Sequence, residues 1–298
     1  MLFDTANISC DAIVNDCLTK KKVSLFILRL DKIHPIVSGN KLFKLNYFLQ
    51  DALTYDLPGI LTFGGAYSNH LVATAYACKT AGLKSIGLVR GEKPANLSAT
   101  LQACMEYGMQ LHFLPRAVYD KKETADFIES FPDEWKEYVL VPEGGYHPKG
   151  AAGAALITEM IDESTTHICS ALGTVTTLAG LITGAKKHQH VIGIPVLKGM
   201  TDIAERIEYL TNRTNSFHLM DGYHFGGYAK KTPALIQFMN GLYKQNTIPT
   251  DFVYTAKMMF AVLDNVEKDF FKPGSKITCL HTGGLQGNAS LQAGTLIF

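Results

Sequence analysis

The sequence predicts an α/β fold with open, twisted, mostly parallel sheets flanked by helices. Two observations carry this expectation. After residue 40, short β-rich runs alternate with stretches of helical periodicity, which is the rhythm of parallel strands joined by crossover helices. Glycine-containing corners follow four of the strand candidates, and at least three of these corners lead into a helix.

The first of these helices starts at about Lys41. Leu42, Leu45, Phe48, Leu49 and Ala52 recur at three- and four-residue spacing, with Asn40 as cap and Gly39 making the turn. Strands are expected at Gly59–Phe63, Lys84–Val89, Gln110–Leu114, Tyr138–Val141, His167–Leu172, His190–Val196 and Lys276–Leu280. Helical patterns cover Ser68–Ala81, Leu97–Tyr107 closed by Gly108, Lys149–Ile161, Thr176–Lys187 and Asp202–Leu210. Two later helices, Pro233–Tyr243 and Tyr254–Val266, come without a strand between them. No repeat, low-complexity tract or linker marks a domain boundary.

Composition excludes several classes of function. With 28 basic and 27 acidic residues the net charge is +1, and no Lys/Arg stripe with interleaved aromatics is present, which argues against nucleic acid. No apolar run approaches the roughly 18 residues that span a membrane, and the first residues lack a basic region followed by an apolar stretch, so the expected compartment is the cytoplasm. The six cysteines have no C-x-x-C pair and no disulfide spacing, and read as reduced thiols. His188 and His190 are the closest histidine pair, but no further ligands accompany them, so no metal is expected.

The chemistry lies at the corners. In an open α/β sheet, ligands bind outside the carboxyl ends of the strands, and "FGGAYSNH", "PEGGYHPKG", "ALGTVTTLAG" and "HTGGLQGN" all sit there. Gly173, Thr174, Val175, Thr176 and Thr177 end a strand and open a helix, so their N–H and hydroxyl groups suit a phosphate, or form an ordinary capped helix start. Ser68, Asn69 and His70 begin a second helix whose free N–H groups suit a carboxylate; a simple cap is the alternative. Lys41 and Lys44 stand one turn apart at a helix N-terminus, where the dipole is positive. Each favours the neutral amine of the other, which suits Schiff-base chemistry, whereas solvated surface lysines are the ordinary reading. An aldehyde-trapping lysine, a phosphate cup and a carboxylate pocket together describe pyridoxal phosphate carrying an amino acid.

The segments "SGNKLFKLNYFLQDAL", "GILTFGGAYSNHLVATAYACKTAGL", "VPEGGYHPKGAAG", "ALGTVTTLAGL", "VYTAK" and "HTGG" resemble, in order and over about residues 28–284, the D-cysteine desulfhydrase and 1-aminocyclopropane-1-carboxylate (ACC) deaminase family. These are pyridoxal-phosphate enzymes of the tryptophan-synthase-β fold type. The resemblance implies two α/β domains, a large one from residues 1–54 and 147–298 and a smaller inserted one from 55–146, with the cofactor between them and the small domain closing over substrate. It implies a homodimer and a small amino-acid substrate. It also implies that Lys41 carries the cofactor as a Schiff base, with Lys44 and Thr255 among the cofactor-binding residues, the Gly173–Thr177 cup on the phosphate and Asn69 on the ring oxygen. Ser68 then binds the substrate carboxylate or shuttles a proton, with His70, Tyr228 and Tyr254 on the substrate side. The cup departs from the family's glycine-rich form, since Val175 and Thr176 stand where glycines are usual.

Two positions separate the family's activities. ACC deaminases typically have glutamine at the place of His70 and glutamate at the place of Thr255. Threonine only hydrogen-bonds a ring nitrogen, which makes a milder electron sink suited to losing a thiolate. The resemblance therefore implies α,β-elimination from D-cysteine, giving pyruvate, sulfide and ammonia. The alternatives are ACC deamination to 2-oxobutanoate and ammonia, and a homologue that binds cofactor or amino acid without catalysis.

Overall fold

The structure is a computed structural model that describes residues 3–34, 37, 39–212 and 217–298; Ser38, in the first of the motifs above, lies outside the described residues. The strands are β1 Cys10–Ala12, β2 Ser24–Arg29, β3 Gly59–Gly64, β4 Lys84–Arg90, β5 Met109–Leu114, β6 Val139–Val141, β7 His167–Leu172, β8 His190–Pro195, β9 His218–Leu219 and β10 Lys276–His281. They form a six-stranded sheet, ordered β1-β2-β10-β7-β8-β9, and a four-stranded sheet, ordered β5-β4-β3-β6. Each neighbouring pair is parallel except β1 against β2.

The chain divides into two compact units. One contains Met1–Asp4 and Lys41–Gly153, the other Thr5–Asn40 and Ala154–Phe298. Packing thus places the breaks at 40/41 and 153/154, against the 54/55 and 146/147 expected. The physical reason is helix Lys41–Thr54, whose buried face lies on β3, β6 and helix Asn69–Thr80.

In the first unit β3 is central and every one of its residues is buried, as in a parallel sheet covered on both faces. Successive strand residues point to opposite faces. Leu61 and Phe63 join Ile86, Leu88, Tyr119 and Phe131 in one core, while Thr62 points the other way, to helix Asn69–Thr80. In the second unit Leu25, Ile27, Cys169, Ala171, Ile192, Ile194, Ile277 and Cys279 from four strands pack with Met258, Met259, Ala261 and Val262 of helix Thr255–Glu267.

All seven expected strands are present, with small shifts at their ends. β1 and β9 are too short to carry a pattern, and the run of β2 lies ahead of the alternation that revealed the others. The expected helix 149–161 becomes helix Pro148–Ala155 followed by a 3₁₀ turn, Leu156–Met160. The expected helix 176–187 stops at Gly184, where a side chain would meet Thr158 Oγ1 at 2.3 Å and the Ala155 carbonyl at 2.9 Å.

Candidate active site

Lys41 opens its helix immediately after two anchored residues. Gly39 has φ +91°, donates its N–H to the Leu30 carbonyl at 2.9 Å, and leaves no room for a side chain, since a Cβ would lie 1.9 Å from the Thr282 oxygen. Asn40, 4% exposed, donates from Nδ2 to Thr177 Oγ1 at 2.6 Å. The residue before the lysine is therefore tied to the cup.

One turn on, Lys44 is buried and donates to the Gly144 carbonyl at 3.2 Å. Burial first, and then the charge of Lys41, push its pKa well below the usual lysine value. The glycines of "PEGGYHPKGAAG" explain the close fit. Gly145 lies against the Lys44 stem, and a Cβ on Gly153 would fall 2.1 Å from the Phe43 carbonyl.

His70 belongs to the same corner. Thr62 donates its hydroxyl hydrogen to the Val141 carbonyl at 2.7 Å, so at 2.9 Å from His70 Nε2 its oxygen is the acceptor and Nε2 carries the hydrogen. Nδ1 is then a bare, buried lone pair with no partner. Burial, followed by the charges of Lys41 and Lys44, lowers the His70 pKa to about 3 and keeps the ring neutral. Ser68 is the cap of helix Asn69–Thr80, accepting the Leu71 N–H at 3.3 Å, and Asn69 is the helix's first residue.

In the second unit Gly173, Thr174 and Val175 join β7 to helix Thr176–Gly184. Val175 has φ +65°, a conformation that a β-branched residue adopts only under constraint, and it supplies no side-chain cap. The first N–H groups of that helix are thus left for another acceptor. Thr174 and Thr176 hydroxyls lie 3.1 Å apart. A Cβ on Gly173 would come within 3.2 Å of the Tyr254 ring, which therefore covers the cup.

Tyr254 and Thr255 are set in place by Asp251, whose buried carboxylate accepts the N–H groups of Val253 at 3.0 Å, Tyr254 at 2.7 Å and Thr255 at 2.9 Å. Thr255 is fully buried and its hydroxyl has no hydrogen-bond partner. Tyr228, 57% exposed, stands beside Tyr254 with ring centroids 6.4 Å apart. Each unit thus gathers its own share of the expected residues: Lys41, Lys44, Ser68, Asn69 and His70 in the first; the cup, Tyr228, Tyr254 and Thr255 in the second.

Residues 16–283 match the family model described as pyridoxal-phosphate dependent enzyme. The chain belongs to this family. A Thermotoga maritima protein, provisionally named 1-aminocyclopropane-1-carboxylate deaminase, is 31% identical over 288 residues that cover 89% of each chain. D-cysteine desulfhydrase of Klebsiella pneumoniae is 28% identical over 288 residues, 87% of this chain and 86% of that one. The crystal structure of an ACC deaminase homologue superimposes with a TM-score of 0.81 at 25% identity, covering 97% of this chain and 92% of the other. The chain is thus a pyridoxal-phosphate dependent enzyme of the branch that holds D-cysteine desulfhydrases and ACC deaminases. Among the described residues no helix is long and apolar enough to cross a membrane.

The residues of this pyridoxal-phosphate enzyme fit its cofactor. The unpartnered Thr255 hydroxyl offers one hydrogen bond to a ring nitrogen, and the uncapped helix start beside the strained Val175 offers N–H groups to a phosphate. Thr62, Asp251 and Lys257 were not foreseen. Lys257 alone had a visible signal, a charge inside the apolar run "TAKMMFAVL".

Proposed function

We propose that the chain is a lyase that removes the β-substituent of a small D-amino acid, with D-cysteine as leading substrate and pyruvate, sulfide and ammonia as products. The observation that carries the choice is the buried, unpartnered hydroxyl of Thr255. A hydroxyl hydrogen-bonds a ring nitrogen without holding it protonated, as a carboxylate would, and so supports departure of a good leaving group such as thiolate.

Pyridoxal phosphate, when bound, supplies an aldehyde for amines and a ring that withdraws electrons from Cα. Lys41 would hold it through its amine with Lys44 one turn away, the Gly173–Thr177 groups would hold the phosphate, and Asn69 the ring oxygen. Ser68 and the first N–H groups of helix Asn69–Thr80 would hold the substrate carboxylate, with His70 as a neutral neighbour. Tyr254 and Tyr228 would line the substrate side. Lys41, Ser68, Tyr254 and Tyr228 are the candidates to take the Cα proton. A homodimer is the assembly we assign, and the cytoplasm the compartment; the six free cysteines suit a reducing one.

ACC deamination is the second reading, favoured by the Thermotoga maritima relative's name. Product assays on the cofactor-loaded protein with D-cysteine, L-cysteine and ACC separate the two. Pyruvate and sulfide from D-cysteine, at a rate well above 2-oxobutanoate from ACC, are expected; the reverse order would transfer the assignment to ACC.

A further inference from the structure

Lys257 is a charge placed where an apolar side chain belongs. The run Ala256-Lys257-Met258-Met259 of helix Thr255–Glu267 is wholly buried, with Lys257 at 0% exposure. Burying an ammonium costs free energy that a methionine there would not incur. Its nitrogen donates to two carbonyls, those of His224 and Gly227, each at 2.8 Å. Burial draws the Lys257 pKa down to about 8, with Asp251 opposing, so the group retains its charge at neutral pH.

Those carbonyls belong to the segment "GYHFGGYAKK", residues 222–231. Gly222, Phe225, Gly226, Gly227 and Ala229 all have positive φ, and for Phe225 and Ala229 that conformation is unfavourable on its own. Something must hold it. The backbone supplies one bond to each carbonyl, from Gly227 N to His224 O at 3.0 Å and from Lys230 N to Gly227 O at 3.2 Å. Lys257 supplies the second bond to both. The Phe225 ring meets Phe260, one turn further along the same helix, at a centroid distance of 5.0 Å. Tyr228 follows Gly227 directly and stands beside Tyr254.

We propose that Lys257 is a positioning residue, which clamps segment 222–231 so that Tyr228 is presented beside Tyr254. The proposal rests on the reading of Tyr228 as a substrate-side group. The same helix start that carries Tyr254 and Thr255 thereby also sets the loop opposite them, so that one element aligns three residues of the site.

The test compares Lys257→Met, which keeps the stem and removes the donor, with the parent protein. Amide hydrogen exchange, read without substrate, is expected to accelerate at least about tenfold over 222–231, with helix 255–267 unchanged. With cofactor and D-cysteine, kcat/KM is expected to fall about tenfold, mainly through KM, and that effect is expected to shrink below about twofold in a Tyr228→Ala background. Unchanged exchange in the segment, or an equal effect in both backgrounds, would overturn the proposal. If Lys257→Met does not fold, Lys257→Gln, which retains N–H donors on a shorter stem, takes its place with intermediate loosening expected. Absence of turnover in the parent protein would count against the proposed function and not against the clamp, which exchange then decides alone.

Discussion

His70 carries two hydrogen-bonding nitrogens in a space that serves one of them. Nε2 is committed to Thr62 and Nδ1 is buried without a partner, so protonating the ring would bury a charge beside Lys41 and Lys44. Its pKa in the folded chain, about 3, lies below the unfolded value near 6.5. Between these values the unfolded chain binds more protons, so stability rises with pH there; it is complete above about 6.5 and lost as pH falls toward 3. His70→Gln removes this dependence. Urea unfolding at pH 7 and pH 5 should show the parent losing about 2 kcal/mol more than the variant between the two. Equal losses would place the ring in a more solvated setting than the structure does. Thr62→Val, nearly isosteric, leaves His70 Nε2–H without its acceptor and should cost about 1–3 kcal/mol of unfolding free energy.

At the scale of elements, two helix starts determine where the site residues stand. Gly39 turns the chain into helix Lys41–Thr54 at φ +91°, against the Thr282 carbonyl. Gly39→Ala should therefore cost about 2–5 kcal/mol in denaturant unfolding, combining left-handed strain with overpacking. A loss below 1 kcal/mol would show that the segment can move aside. Asp251 does the corresponding work for helix Thr255–Glu267, accepting three backbone N–H groups at the corner that carries Tyr254 and Thr255. Asp251→Ala should destabilise the protein by about 2–3 kcal/mol and weaken cofactor binding, measured by the absorbance of the bound cofactor on titration.

For the whole molecule, the alternation of strands and helices was legible because parallel strands read as short apolar runs with glycine corners behind them. The division into units was less so. Helix Lys41–Thr54 has an apolar face that fits either sheet as far as its sequence tells, and its packing on β3 and β6 is a tertiary fact. Lys41 and Lys44 stood out because they break a local rule, two positive charges at a helix N-terminus, and the Gly173–Thr177 corner because it joins a strand to a helix start rich in hydroxyls. Their supports did not: a threonine in a strand or an aspartate before a helix is unremarkable until its partners arrive from residues distant in the chain, as Val141 does for Thr62. The proposed homodimer predicts a light-scattering mass twice the chain's 32.7 kDa; a mass of one chain at working concentration would contradict it.

Whether Lys41 is the cofactor-bearing lysine is decided by loading the protein with pyridoxal phosphate, reducing it with borohydride and mapping the modified peptide by mass spectrometry. One pyridoxyl group is expected, attached to Lys41, and none on the Lys41→Ala variant, with kcat/KM on D-cysteine lowered at least about 10²-fold in that variant. Attachment at Lys44 or elsewhere, or a variant that still takes up the group and turns over substrate, would contradict it.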